Sequence, residues 1–548
     1  MRERVAWLAV PALILLFLVA NRAAYKGYFS SDDLDNIAWT GRAQVRTFVE
    51  GIADPFYIPQ HFRPVGHFVF FALGLTDYRW YVAVVHGLHI LNVALLFLVL
   101  RRLYLGLWGA LFFAFPMAVF DALWKPMYVF DVWCATFVLL TFLQYLSGRT
   151  VLSLLCFWLA YKSKEIGAMA AFGLVAYEYW LGKRDWRRVA PFVAVALWFT
   201  GQAVLANRAG DQGSDYELKA TPAAVWTTVK FYASRVLLRP WVLAAVAGAA
   251  VWLRDRRAAW GFTVALLLIA PLLLLPGRLY PAYLYAPMIG VAIAVGVIFS
   301  RIPWAAAAGL MAIWWVLNFQ VMRIERNTAL AEMAANRTYV SRVFTLPKRF
   351  PDTRLFLYDG APPGMEWWGV KGALRLAYDT DDIELKQVQE STGERPYVLL
   401  AWNESYRMLE ATAWNPSAPP LPMVRFLEAD SAFQLRDGWY PREGDARWSQ
   451  PVASAKLWRP ANAARFEMTA AAPQKASIAV SVDGKPIGGA ALRDSVWDEI
   501  AIPLAPGAPE GAVTVEWRVT PPLAPHENDS RVLGVLVKRF GFVAGEAK

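Results

Sequence analysis

Apolar runs separated by short polar spacers fill the first 320 residues, and the pattern then stops. A helix needs about 20 predominantly apolar residues to cross a bilayer. On that measure the runs predict about eleven spans, at 5–21, 80–100, 103–122, 128–146, 151–161, 166–180, 189–206, 238–253, 259–276, 282–299 and 303–320. The run 66–75 is too short to cross and reads as a re-entrant or interfacial piece. Only Lys162-Ser163-Lys164-Glu165 separates 151–161 from 166–180. Fusing the two runs would put these charges at mid-bilayer depth, so a tight turn at the membrane surface is expected.

Composition agrees with the pattern. Hydrophobic residues make up 57% of the 548 and charged residues only 18%, against about 25% in soluble proteins. Arg2 and Arg4 precede the first run, and no small-x-small cleavage site follows it, so it reads as a retained span. Cys134 and Cys156 both lie inside apolar runs, which excludes a disulfide framework and a zinc motif.

The net charge of +11 fits topology better than a nucleic-acid partner. With the N-terminus in the cytoplasm, the short inner connections hold Arg2, Arg4, Arg101, Arg102, Arg149, Lys183, Arg184, Arg187, Arg188, Arg254, Arg256, Arg257 and Arg301. That is the positive-inside pattern. An odd number of spans then sends 321–548 outside. The expectation is a multi-pass protein of the cytoplasmic (inner) membrane with a periplasmic C-terminal region.

The same alternation collects a second set of residues on the outer face. They are Ser30-Ser31-Asp32-Asp33, Phe62-Arg63-Pro64-Val65, the Lys162–Glu165 turn, and Arg278 leading to Tyr283-Leu284-Tyr285-Ala286-Pro287. Asp32 and Asp33 repel one another in a dry cleft, so one of them suits proton abstraction. Equally, the pair could hold a divalent cation, Mg or Mn, or cap a following helix. Lys162, Lys164, Arg63 and Arg278 offer phosphate ligands, although snorkelling and an interfacial aromatic belt explain such residues too. Glu165, Tyr283 and Tyr285 would support them. A carboxylate site beside several cations at the outer leaflet suits a polyprenyl-phosphate sugar. Its tail stays in lipid, its phosphate meets the cations, and its anomeric carbon faces the acids.

The segments Ser31-Asp32-Asp33, Phe62-Arg63-Pro64-Val65 and Ser163-Lys164-Glu165 resemble the GT-C superfamily of glycosyltransferases. The likeness covers roughly 1–320 and is similar to protein O-mannosyltransferase-like enzymes and the membrane part of the TMTC proteins. It implies a GT-C-like transmembrane catalytic domain. It also implies a catalytic or acceptor-positioning role for Asp33 or Asp32, and donor-phosphate contact at Lys164, with Lys162 beside it. The expected reaction is inverting sugar transfer from a polyprenyl-phosphate-linked donor to a protein, polysaccharide or lipid acceptor. Two other readings stand beside it. A flippase or transporter of a lipid-linked glycan predicts charges inside several spans and two related halves, and neither is visible. A non-catalytic anchor for an outer binding domain leaves the outer cations and acids without a role.

Beyond 320 the chain reads as ordinary soluble sequence. A polar helix over 321–345, strands near 354–359, 397–400 and 422–430, and a short helix at 369–377 predict a mixed α/β region over 321–460. After a Pro/Ala-rich break at 459–473, alternating runs at 476–482, 498–504, 511–519 and 531–537 predict a small β-sandwich over 461–548, with a turn at Asp483-Gly484. No 34-residue repeat is present. Trp439, Trp448, Trp458 and Trp497 suit either the sandwich core or stacking on sugar rings.

Overall fold

The longest uninterrupted apolar stretch, Tyr78–Arg102, folds as a single helix, whereas the stretches 103–122 and 151–180 break. The computed structural model describes residues 12, 14–56, 62–208, 218–387, 396–403, 407–414, 419–505, 507–524 and 531–545. Most of the expected first span lies outside them. The chain divides into two compact units, Met1–Met333 and Ala334–Lys548.

In the first unit, Tyr78–Arg102 starts at an Asp77 cap, whose carboxylate accepts from the Arg79 amide, and runs 25 residues to Arg101 and Arg102. Together with Pro126–Leu146, Arg256–Leu274 and the helix beginning at Trp304, it makes four helices among the described residues that are long and apolar enough to cross a membrane. A fifth is formed if Pro222–Val236 and Pro240–Leu253, bent by 83°, count as one. Large apolar side chains point outward, among them Val151, Trp252 and Trp304. Such a surface needs a lipid solvent. The unit is a membrane-embedded helical region.

The described residues do not form eleven membrane-length helices, and the reason is local. Over 103–122, Pro116 separates Trp108–Phe113 from Phe120–Trp124. Over 282–299, the helix is confined to Pro287–Phe299. Its 13 residues reach roughly 20 Å. Over 151–180, the chain is extended at Lys164 between Thr150–Ser163 and a 3-10 turn at Glu165–Met169 that leads into Ala170–Trp180. The predicted turn forms there, but Lys162 and Lys164 are buried rather than spread on the membrane surface.

The second unit begins with a βαβ element. Leu355–Asp359 pairs in parallel with Glu384–Gln387, and the helix Trp367–Tyr378 connects them. Val398–Asn403 pairs in parallel on the other side and carries Met408–Ala413 antiparallel. Two antiparallel sheets follow. One runs Lys485–Leu492, Ala476–Val482, Gly511–Thr520, Val452–Arg459. The other runs Trp497–Pro503, Ala463–Ala471, Leu536–Ala544, Ala446–Ser449, Trp439–Glu443, and Met423–Arg425 pairs on Leu536–Ala544.

Ala463–Ala471 is a central strand where the sequence suggests a break. Phe466, Met468 and Ala470 point into the core, and the alanines around them mask that alternation. Met423–Arg425 and the strands from Trp439 onward also belong to the sandwich sheets, which therefore reach upstream of residue 461. Trp439 and Trp517 fill the core against Phe540.

Candidate functional site

Ser30 is the N-cap of the helix Ser31–Thr40, and Asp33 at the third helical position closes a capping box. Asp33 Oδ2 accepts the Ser30 amide at 2.7 Å and the Ser30 hydroxyl at 2.7 Å. That cap accounts for one oxygen. The side chain is fully buried, Oδ1 makes no hydrogen bond of normal geometry, and the Met127 backbone lies close enough to the carboxylate to favour its charged form. Burial pushes the Asp33 pKa up to about 7, against the Ser30 hydrogen bonds, with the Asp32 charge adding a smaller push in the same direction. Desolvation, rather than repulsion from Asp32, is the main cause of the raised value.

One helical turn further on, Asn36 Oδ1 meets His67 Nε2 at 3.1 Å. His67 Nδ1 faces the backbone of Arg63, the residue that caps the helix Pro64–Leu73. The Arg63 guanidinium grips Glu165 with both arms: Nε lies 3.0 and 3.2 Å from the two carboxylate oxygens, and Nη2 lies 3.0 Å from Oε2. Burial alone would raise the Glu165 pKa, yet Arg63 holds it down at about 2. The Arg63 pKa moves up, because Glu165 outweighs the burial that opposes it.

Lys164, next in the chain to Glu165, turns its ammonium onto Asp131 at 2.6 Å and over the Tyr283 ring at 4.1 Å. Burial pulls the Lys164 pKa down, and Asp131 resists. Arg278 Nη2 donates to the Tyr283 hydroxyl at 3.1 Å. Arg63, Lys164, Glu165, Arg278 and Tyr283 thus form one connected cluster drawn from three separate connections. Two of its cations are paired with carboxylates, Lys164 with Asp131 and Arg63 with Glu165. Tyr128 stands within electrostatic reach of Asp32, Asp131 and Tyr283, and the Ser30 hydroxyl contacts Met127 Sδ at 3.4 Å. Those residues place the Asp33 helix beside the cluster.

Two expected members lie elsewhere. Lys162 donates to the Asp54 carbonyl at 2.6 Å amid the Trp158, Tyr161 and Phe199 rings. Alternate residues at a helix end point apart, so Lys162 and Lys164 cannot share one phosphate site by adjacency alone. Tyr285 turns into the helix bundle, where its hydroxyl meets His89 Nδ1 at 2.7 Å and accepts from Asn92 at 3.1 Å. Asp131, Asn36 and His67 join the site without having been singled out. The available signal was an aspartate and a histidine embedded in apolar sequence.

A cavity of about 940 Å³ opens beside Pro281, two residues from Tyr283. Apolar side chains such as Trp241, Ile313 and Trp314 line it, together with Asp121, Arg235 and Arg239. Among the described residues, no three His, Cys, Asp or Glu side chains converge as a metal site.

No protein-family model matches the chain, and no curated protein matches it. Among solved structures, it is similar to the arabinosyltransferase EmbB from Mycobacterium smegmatis, at 12% identity and a TM-score of 0.30. The match covers 97% of this chain and 64% of that one, so the chain spans less than two thirds of the length of that protein. A superposition that loose carries no conclusion about fold or activity.

Proposed function

We propose that the protein is a GT-C-type glycosyltransferase that moves a sugar from a polyprenyl-phosphate donor to an acceptor on the extracytoplasmic face. The observation that carries this reading is the pairing of Asp33, buried with Oδ1 in no hydrogen bond of normal geometry, with the Arg63–Lys164–Arg278 cluster next to it. Asp33 takes the proton from the acceptor hydroxyl as that oxygen attacks the anomeric carbon, which inverts its configuration. Lys164, Arg63 and Arg278 offset the charge that grows on the departing phosphate. Asp131 and Glu165 position the first two by fixing their ion pairs. The cavity beside Pro281, with Trp241, Ile313 and Trp314 in its wall, offers an isoprenoid chain room. A divalent cation such as Mg or Mn held by Asp32 or Asp33 would supply further positive charge at the donor phosphate.

The test is turnover by the purified protein in liposomes with a polyprenyl-phosphate sugar and a mixed acceptor fraction. Product should form, and Asp33→Asn should lose at least about a hundredfold of it, the usual contribution of a general base. Full transfer by Asp33→Asn and Asp32→Asn would overturn the carboxylate assignment. Movement of donor across the bilayer without any product would favour a flippase.

A further inference from the structure

The six-stranded sheet of the second unit has an outer face that the transferase reading does not use. Alternation along its strands sends Phe466, Met468, Ala470, Val537 and Phe540 into the core. The residues between them face out. Trp497 pairs with Ala471, Ala471 pairs with Leu536, and Leu536 pairs with Trp448. Trp497, Ala471, Leu536 and Trp448 therefore form one row across four adjacent strands. Strand spacing puts its two tryptophans about 14 Å apart. Trp497 is 39% exposed, whereas the inward-facing Trp439 is 0% exposed.

Polar side chains flank the row. Arg539 reaches Glu499 at 3.0 Å and the Thr469 hydroxyl at 2.9 Å. Lys538 lies 3.0 Å from Asp445 and 4.5 Å from the Trp497 ring centre. Arg531 meets Glu443 at 2.8 Å. Each of these cations has an acid beside it, so the face carries donors and acceptors but little net charge. Such a face is matched to a ligand that is itself uncharged, presents flat C–H faces to aromatic rings and carries hydroxyls on both sides. Nucleic acids and sulfated polymers need a surplus of cations, which this face lacks.

We propose that this face binds a neutral glycan chain, with successive sugar rings lying along the Trp497–Trp448 row and their hydroxyls bonding to Arg539, Glu499 and Lys538. The proposal does not rest on the transferase chemistry, and binding can be read without turnover.

The test is saturation-transfer NMR and calorimetry on the full-length protein in detergent. The probes are neutral hexasaccharides of glucose, mannose, xylose and arabinose, with a sulfated hexasaccharide for comparison. At least one neutral probe should bind with Kd below about 5 mM, and Trp497→Ala should weaken it about tenfold. Trp448→Ala should do the same. Because Trp448 is half-buried, Glu499→Gln serves as a second variant that spares the packing, and it should weaken binding severalfold. Trp458→Ala, on the opposite sheet, should leave the Kd unchanged. Three results would overturn the proposal: no neutral probe bound at that concentration, equal binding by Trp497→Ala and Glu499→Gln, or tighter binding of the sulfated probe. A protein that transfers sugar yet binds no glycan here would lose this inference alone. One that binds glycan but transfers nothing would lose only the transferase reading.

Discussion

Burial of Asp33 has two consequences. A base must be ionised, so transfer should rise with pH through about 7 and level off above it. A pH–rate profile measures this, and a flat profile from pH 5 to 8 would remove Asp33 from the proton step. The second consequence concerns stability. An aspartate whose folded pKa lies above its unfolded value near 3.8 binds its proton more tightly in the folded state. Stability from that group is therefore full below the unfolded pKa and declines as pH rises toward the folded one. Asp33→Asn should then melt higher than the native protein at pH 8 and close to it at pH 4, while losing transfer. Lys164 makes the opposite case. Its partner Asp131 is buried, so Lys164→Met leaves an uncompensated carboxylate and should destabilise by about 3–5 kcal/mol. Adding Asp131→Asn should restore most of the melting temperature but no transfer, which separates the structural part of the pair from its part in the reaction. The acidic pair and the cations were legible in the sequence because charges are conspicuous in apolar surroundings. Asp131 as partner was not, since 33 residues and a chain reversal separate it from Lys164.

Helices and strands were legible to the extent that their own residues dictate them. Tyr78–Arg102 declares itself through an unbroken apolar run between an aspartate cap and two arginines. Ala463–Ala471 does not, because its place at the centre of a sheet comes from pairing with Trp497–Pro503 and Leu536–Ala544, and each lies well downstream. Turns are local and so fared better. Asp483-Gly484 joins Ala476–Val482 to Lys485–Leu492 with both residues at positive φ, 47° and 75°, as a two-residue hairpin loop requires. No atom lies within 4 Å of a β-carbon placed on Gly484. Gly484→Ala should therefore cost only the backbone term, about 1 kcal/mol, measurable as a lower denaturation midpoint with an unchanged slope. A cost several times larger would mean that the added methyl meets something the turn geometry does not show.

Sidedness is a property of the whole chain, and it decides whether the charge cluster can meet a donor in the outer leaflet. The sequence indicates it through the basic residues of the short inner connections, assigned by alternating the spans. The cluster adds a constraint of its own: Arg63, Lys164, Glu165 and Arg278 touch through a chain of contacts, so they share one side however many crossings lie between them. What remains is which side, and the two native cysteines allow a direct measurement because both are buried. Tyr104 follows Arg101 and Arg102 and is 93% exposed, which makes it a reporter for the expected inner face. Lys475, exposed in the second unit, reports the expected outer one. In spheroplasts, a membrane-impermeant maleimide should label a Lys475→Cys variant and spare Tyr104→Cys, and both should react after lysis. The reverse pattern would put the cations and Asp33 in the cytoplasm, where water-soluble nucleotide sugars are available, and the case for a polyprenyl-phosphate donor would fail with it.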